Sequence, residues 1–256
     1  MPTVGRVRVE YDYRRPRKVL VAFAWLCAVS SSQIGVAAAY EAGAVSNGGT
    51  IEGVVTLSGN PPALEAIKVT KDQEYCGASI PNPVYSVGKD GGLENVEVYL
   101  QDITQGKPNS TETIQLLNDH CMFAPRVQGV SVGQQIRIAS NDPILHNTHP
   151  QKNETNATLF NIALAFKGFS VTKPLPGSPG LIKVKCDAHE WMHAWVWEFP
   201  HPYFATTDKH GHFAIHDVPP GTYTLVAWHE ASGEQTKSIT VAPGKSTQAD
   251  FQLAGK

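Results

Sequence analysis

The chain has 256 residues, with 23 acidic and 21 basic residues and a formal net charge of −2 at pH 7. This length can bury the core of one large or two small domains. The near-balanced charge gives no reason to expect nucleic acid as a partner.

Residues 1–39 are predicted to be a secretory signal peptide. Basic residues between Arg14 and Lys18 precede an apolar run from Val19 to about Val29, and the alanines at 37–39 offer a small-residue cleavage site. The apolar run is shorter than a membrane-spanning helix requires, which favours cleavage over a retained anchor. We therefore expect a periplasmic or secreted protein with no stable membrane insertion after cleavage.

Short strands are predicted along the first part of the mature chain, and no stretch has a helical period of useful length. Val96, Val98 and Leu100 alternate on one face of the third of these strands, and a polar boundary follows at residues 101–110. The predicted strands occupy residues 50–57, 67–70 and 95–100. The fold class is therefore expected to be all-β.

The next part of the chain carries two loops that each follow or precede a predicted strand. Gly133 is a predicted turn, and the strand after it leads into the loop from Asn141 to His149. Leu181–Lys185 is a predicted strand that ends at Cys186, and Ala194–Phe199 leaves the second loop, whereas residues 151–180 are expected to be irregular. Loops at strand ends can meet at one pole of a sandwich.

The cysteine count assigns a special role to one thiol. Loss of the signal peptide removes Cys27 and leaves Cys76, Cys121 and Cys186, an odd number for an exported protein. The simplest partition is a disulfide between Cys76 and Cys121, with Cys186 kept as a metal thiolate. The alternative pairs Cys186 with one of the other two and leaves no thiolate for a metal.

Cys186, His189 and Met192 are evenly spaced along the second loop, and His146 in the first loop offers a second imidazole. Two histidines, one cysteine and a weak axial methionine form the blue-copper site. We therefore predict one copper ion, cycling between Cu(I) and Cu(II), with His146, Cys186, His189 and Met192 as its ligands.

Two further histidines leave the ligand set open. His193 with Cys186, His189 and His146 would also suit tetrahedral zinc or a Cu(II) site without methionine. On an extended segment Met192 and His193 point to opposite faces, so only one of them can be a ligand. We favour Met192, and we expect His149 to be a nearby surface residue or a support for a ligand.

Residues 113–199 resemble a cupredoxin of the amicyanin or plastocyanin type. The resemblance is carried by Phe123 and Pro125, the Gly–Gln turn, the His146–Asn147 loop and the Cys-x-x-His-x-x-Met loop. It implies that Asn147 ties the two ligand loops together by hydrogen bonds. Asp187 and Glu190 bring negative charge near the metal, which is expected to lower its reduction potential.

The tail resembles the carboxypeptidase-regulatory-like, or transthyretin-like, β-sandwich through Thr-Asp-x-x-Gly-x-Phe at residues 207–213 and Pro-x-Gly-x-Tyr near residue 221. The resemblance implies one sandwich built from residues 50–110 and 200–254. A Greek-key cupredoxin sandwich, residues 111–199, would be inserted in it or packed beside it. Two independent domains in series are the alternative.

These features favour an exported one-electron carrier that works between protein redox partners such as a cytochrome or an oxidoreductase. We expect no enzyme activity, because no nucleophile, base and oxyanion constellation is visible. A copper storage or delivery protein is one alternative. A carbohydrate- or protein-binding sandwich with a structural metal loop is the other. Trp191, Trp195 and Trp197 are expected to be core residues rather than an electron relay. Of the three, Trp191, within the ligand loop, is the one expected to be most exposed and to contribute to a docking surface.

Overall fold

The computed structural model describes residues 39–59 and 62–255. The predicted signal peptide, apart from its last residue, lies outside these ranges. No helix within the described ranges is long and apolar enough to cross a membrane.

The described chain is built almost wholly from strands, which confirms the all-β prediction. Its elements, in chain order, are β1 (Glu41–Ala42), β2 (Gly49–Ser58), β3 (Ile67–Lys68), α1 (Gln73–Cys76), β4 (Ser79–Ile80), β5 (Glu97–Leu100), β6 (Gln105–Gly106), β7 (Ile114–Asp119), β8 (Met122–Ala124), β9 (Val127–Ser131), β10 (Gln135–Ser140), β11 (His146–Lys152), β12 (Ile162–Leu164), β13 (Ser170–Pro174), β14 (Gly180–Lys185), β15 (His193–Phe199), β16 (Phe204–Thr206), β17 (His212–Val218), β18 (Gly221–His229), β19 (Gly233–Val241), β20 (Ser246–Gln248) and β21 (Phe251–Ala254).

Strands from both ends of the described chain form one sandwich, here called the flanking sandwich. Its sheets have the orders β16–β5–β18–β19 and β17–β2–β20, and β21 also pairs with β2. The predicted inward face of β5 is buried, with Val98 and Leu100 fully enclosed. They pack with Phe213, Ile215 and other apolar residues of the tail in one core. Burial of alternate apolar residues from these distant segments holds the sheets together.

The strands from β7 to β15 form a second sandwich, here called the middle sandwich. Its sheets have the orders β13–β10–β7–β8 and β12–β11–β14–β15–β9. Ile136 and Ile138 of β10 face Ile182 and Val184 of β14 in its core. Because β11 and β14 are antiparallel neighbours, the start of β11 and the end of β14 lie at the same pole.

The prediction that residues 151–180 are irregular is wrong at two places. β12 pairs with β11, and β13 pairs with the edge of β10. β13 has no buried residue and β12 has only Leu164. Because neither strand has an alternating buried face, its sequence does not show the alternation of apolar and polar residues from which strands are predicted.

A small hairpin before the middle sandwich in the chain packs against that sandwich. β3 and β4 pair antiparallel, and α1 occupies the loop between them. Val69 of this hairpin is fully buried in the core of the middle sandwich. Cys76 at the end of α1 forms a disulfide with Cys121, which confirms the predicted pairing and leaves Cys186 as a buried free thiol.

The two faces of β15 contact different parts of the protein: one face packs in the core of the middle sandwich and the other contacts the flanking sandwich. Ala194 and Val196 point into the core of the middle sandwich. The alternate residues Trp195 and Trp197 point the other way, and each makes an edge contact with Trp228 of β18, at centroid distances of 5.7 and 5.6 Å. The strand that leaves the second loop therefore has one face in each environment.

Candidate metal centre

His146, Cys186 and His189 converge at the pole where β11 begins and β14 ends. One potential ligand atom from each residue lies within 4.8 Å of the other two. The Nδ1 atom of His189 is 3.7 Å from the Sγ atom of Cys186. Both histidines are fully buried and Cys186 is 2% exposed. The sequence separation of forty residues between His146 and Cys186 is therefore closed by the pairing of β11 with β14.

The spacing of these atoms suits a single first-row metal ion. Metal–sulfur and metal–nitrogen bonds are about 2.3 and 2.0–2.1 Å long. In a trigonal arrangement, a sulfur and a nitrogen at those distances lie about 3.8 Å apart. The observed separation of 3.7 Å between His189 Nδ1 and Cys186 Sγ agrees with that value.

Carboxylates hold the outer nitrogens of both imidazoles. His146 Nε2 lies 2.8 Å from an oxygen of Asp142, and His189 Nε2 lies 2.9 Å from an oxygen of Asp72. Each contact places the ring proton on Nε2 and leaves the Nδ1 lone pair free for a metal. His146 Nδ1 is buried and has no hydrogen-bond partner. An orphaned imidazole nitrogen beside a buried thiol fits a bound copper ion.

Met192 completes the loop that carries Cys186 and His189. It is fully buried and packs in the same core as Cys186. Its N–H donates to the carbonyl of His189, at 3.0 Å, and its carbonyl accepts from the N–H of Cys186, at 3.3 Å. The loop therefore closes on itself and brings the backbone of Met192 back beside that of Cys186.

Asn147 links the two loops. Its N–H donates to Cys186 Sγ over 3.4 Å, and its side-chain oxygen accepts from the N–H groups of Asp187 and Ala188, at 2.7 and 3.2 Å. These bonds are the kind that the cupredoxin resemblance implied for Asn147. They fix the position of the sulfur relative to the first loop.

The two additional histidines lie outside the donor cluster of the described residues. Both ring nitrogens of His149 are occupied, one by the carboxylate of Asp187 and the other by the hydroxyl of Thr158. His193 is the first residue of β15, and its Nδ1 atom has no hydrogen-bond partner. Among the described residues, the clusters of possible ligands that contain histidine include neither of them.

A second cluster, of Cys121, Asp142 and His146, brings possible ligand atoms together but does not offer a thiolate. The sulfur of Cys121 is bonded to Cys76. Asp142 is already engaged by the N–H groups of His120 and Cys121, at 2.8 and 2.9 Å. This cluster therefore supports His146 rather than forming a separate metal site.

Burial shapes the protonation of the site. Burial raises the pKa of the Cys186 thiol, although nearby backbone N–H groups oppose the change. Burial also lowers the pKa of His146 despite the carboxylate of Asp142. At Asp142, burial would raise the pKa, but hydrogen bonds from Cys121, Tyr75 and His120 hold it below its usual value. The imidazole is thus kept neutral beside an ionised carboxylate.

Asp187 follows the thiol and faces the protein surface. Burial alone would raise its pKa, but hydrogen bonds from His149, Asn161 and Asn147 lower it to about 2. Lys185 lies 3.4 Å from the same carboxylate. The Asp187 carboxylate is thus ionised at neutral pH and supplies the negative charge predicted near the metal. Its charge is partly offset by these donors and by Lys185.

Trp191 is a core residue, as favoured for the three tryptophans, and does not form the exposed docking surface that its place in the ligand loop suggested. Trp191 is 9% exposed, and its indole N–H donates to the carbonyl of Cys121, at 3.0 Å. Its ring centroid is 5.0 Å from that of His189. The indole is therefore a wall of the site, because its polar edge finds a backbone acceptor inside the protein.

Residues that support the histidines were not identified from the sequence. Asp142 precedes His146 by four residues in the same loop, and this proximity is a signal that could have found it. Asp72 is 117 residues from His189, and no local pattern connects them. Tyr75 donates to Asp142 at 2.8 Å across a sequence separation of 67 residues, and no local pattern connects this pair either.

Comparison with known families supports the resemblance of the tail. Residues 200–254 match the family model of the carboxypeptidase regulatory-like domain. This resemblance is confirmed. The match covers less than half of the chain. A comparison with curated protein sequences gives no match.

Solved structures similar to this chain include cupredoxins. A purple cupredoxin from Nitrosopumilus maritimus has 18% identity over 34% of this chain and 99% of its own, with a TM-score of 0.30. Amicyanin from Paracoccus versutus has 11% identity over 35% of this chain and 84% of its own, with a TM-score of 0.31.

A copper-containing nitrite reductase from Thermus scotoductus SA-01 has 15% identity over 38% of this chain and 24% of its own, with a TM-score of 0.32. At these identities and TM-scores, none of the three similarities carries a conclusion about ligand or activity.

Proposed function

We propose that this protein is an exported one-electron carrier with a single type 1 copper centre formed by His146, Cys186, His189 and Met192. The observation that carries the proposal is the buried convergence of one thiol and two imidazoles whose outer nitrogens are already held by carboxylates. Soft sulfur with borderline nitrogen is the donor set that copper prefers when it changes oxidation state.

The fully buried thioether of Met192 favours copper over zinc. Structural zinc takes four ligands from cysteine, histidine and carboxylate side chains. In the part of the chain that the structure describes, the donor cluster around Cys186 holds three such residues. A thioether as the weak fourth ligand suits copper.

The surrounding residues fix the positions of the ligands, so that the oxidation state of the ion can change with little change in geometry. Copper would supply the one-electron couple. Asn147 ties the loops together, and Asp142 and Asp72 fix the orientation of the two imidazoles. Because burial raises the pKa of Cys186, the thiol keeps its proton until a metal displaces it.

We further propose that the protein transfers electrons to and from protein partners and converts no substrate. The four proposed ligands are between 0% and 2% exposed. A substrate would need an open coordination position, and a site filled by four protein ligands offers none. The disulfide between Cys76 and Cys121 and the predicted signal peptide support a periplasmic or secreted location.

The proposal is tested by the visible absorption and electron paramagnetic resonance spectra of the Cu(II)-loaded, signal-free protein. The wild type is expected to show an intense thiolate-to-copper band. Cys186→Ser is expected to abolish this band because it removes the only free thiol among the described residues. Met192→Leu is expected to keep the band, shift it, and change the reduction potential, because the axial donor is lost.

Met122→Leu is a matched control, since Met122 packs against the core of the same sandwich but lies on β8. It is expected to leave both spectra and the potential unchanged. A colourless wild type would refute the type 1 assignment, as would Cu(II) signals that persist in Cys186→Ser. A Met192→Leu variant identical to wild type would remove Met192 from the ligand set.

A further inference from the structure

Asp72 approaches the proposed metal site from outside both ligand loops. Its carboxylate is 2.9 Å from His189 Nε2, while the side chain itself is 35% exposed and that of His189 is 0% exposed. Asp72 therefore stands between the second imidazole and the solvent. A histidine carried by a surface loop would otherwise present this nitrogen to water.

The backbone around Asp72 is shaped to place its carboxylate there. Asp72 adopts φ 53° and ψ 37°, in the left-handed region that non-glycine residues rarely occupy. Its carbonyl accepts hydrogen bonds from the N–H groups of Tyr75 and Cys76, at 3.0 and 2.9 Å. A residue in such a costly backbone conformation is maintained only where the surrounding contacts fix it. At Asp72 the two hydrogen bonds to its carbonyl do this.

Three contacts anchor the β3–β4 hairpin that carries Asp72. Val69 is buried in the core of the middle sandwich, and Cys76 is bonded to Cys121. The hydroxyl of Tyr75 donates to Asp142, the carboxylate that holds His146. One short segment thus supports both imidazoles, one directly through Asp72 and the other through Tyr75.

We propose that Asp72 is a positioning residue for His189 and that the β3–β4 hairpin closes the outer face of the metal site. This inference rests on the proposed function. The carboxylate keeps the proton of His189 on Nε2 and directs Nδ1 toward Cys186. The anchored hairpin excludes water from the imidazole and slows exchange of the ion.

The first test needs no metal. Nitrogen-15 NMR of the metal-free full chain, recorded at a pH where the imidazole is neutral, identifies which ring nitrogen of His189 carries the proton. The Nε2–H form is expected in the wild type and in Asp72→Asn, whose amide oxygen can still accept the hydrogen bond. Asp72→Ala is expected to give a mixture of both forms, because the acceptor is gone.

The second test measures copper affinity by competition with a chelator and records the resonance spectrum of the loaded protein. Loss of a residue that supports a ligand typically lowers metal affinity 10- to 100-fold, and Asp72→Ala is expected to fall in this range. Asp72→Asn is expected to lose less affinity, because the hydrogen bond remains while the charge is removed. Copper transfer to the chelator is expected to be faster in Asp72→Ala than in wild type.

Asp90→Ala is the matched control, since Asp90 makes a similar contact with His210, at 3.1 Å, on the exposed surface. It is expected to change neither affinity nor spectrum. Folding of each variant is verified by circular dichroism.

The inference is overturned if Asp72→Ala keeps the Nε2–H form, the affinity and the exchange rate of wild type. If wild type binds Cu(II) without a thiolate band, the proposed function fails, while the NMR result still decides whether Asp72 positions His189.

Discussion

Glu97 is a fully buried carboxyl group whose ionisation is expected to weaken the fold as pH rises. It lies on β5, where Thr206 donates a hydrogen bond to one of its oxygens at 2.6 Å. The other oxygen has no hydrogen-bond partner and faces Gly129 of the middle sandwich, where an added Cβ would lie 2.3 Å from it. Burial raises the pKa of Glu97 to about 8, although the bond from Thr206 opposes the rise.

The sign of the effect follows from proton binding. The unfolded chain loses this proton near pH 4.5 and the folded chain keeps it until about pH 8. Between these values the unfolded state binds fewer protons, so the free energy of unfolding falls as pH rises. The interval from 4.5 to 8, at about 1.4 kcal/mol per pH unit, sets an upper limit of about 5 kcal/mol.

Glu97→Gln removes the ionisation and keeps the shape. The free energy of unfolding in urea is measured for both proteins from pH 5 to pH 9, and contributions from all other groups cancel in the difference. The variant is expected to gain stability relative to wild type through this range, by up to about 5 kcal/mol. Glu52→Gln, at an exposed position of β2, is the control and is expected to give a constant difference. A constant difference for Glu97→Gln would refute the reasoning.

Two further predictions concern links between distant segments. Replacing Cys76 and Cys121 by alanine opens a link between residues 45 positions apart, and is expected to lower the free energy of unfolding by about 4 kcal/mol, measured in urea; a loss below about 1 kcal/mol would contradict this. Arg126→Met leaves the carboxylate of Glu230, 10% exposed, without its cation, and is expected to cost about 3–5 kcal/mol. Adding Glu230→Gln is expected to recover part of this loss, and a double-mutant cycle that gives no coupling would contradict the prediction.

Local patterns were sufficient for much of the fold and for part of the site. The alternation of Val96, Val98 and Leu100 predicted a buried face, and these residues are fully buried. The disulfide followed from counting cysteines. The even spacing of Cys186, His189 and Met192 predicted that they share one loop, and the structure has them in one loop.

Tertiary contacts account for what the patterns missed. Glu97 lies on the face of β5 that alternation assigns to solvent, but the middle sandwich covers that face. Trp191 is buried because its N–H finds the carbonyl of Cys121, 70 residues away. Asp72 reaches His189 from a hairpin that no local signal connects to the ligand loops. Such pairings depend on packing between segments, which periodicity does not encode.

Because one face of β15 packs against the flanking sandwich, the middle sandwich cannot be cut out of the chain without exposing that face. A fragment of residues 111–199 would retain the strand but lose Trp228, the partner of both Trp195 and Trp197. Each indole carries roughly 150–250 Å² of surface, and two neighbouring indoles uncovered together would make an adhesive patch. A minimal metalloprotein cut from this chain would therefore need polar replacements at both tryptophans before it remained monomeric.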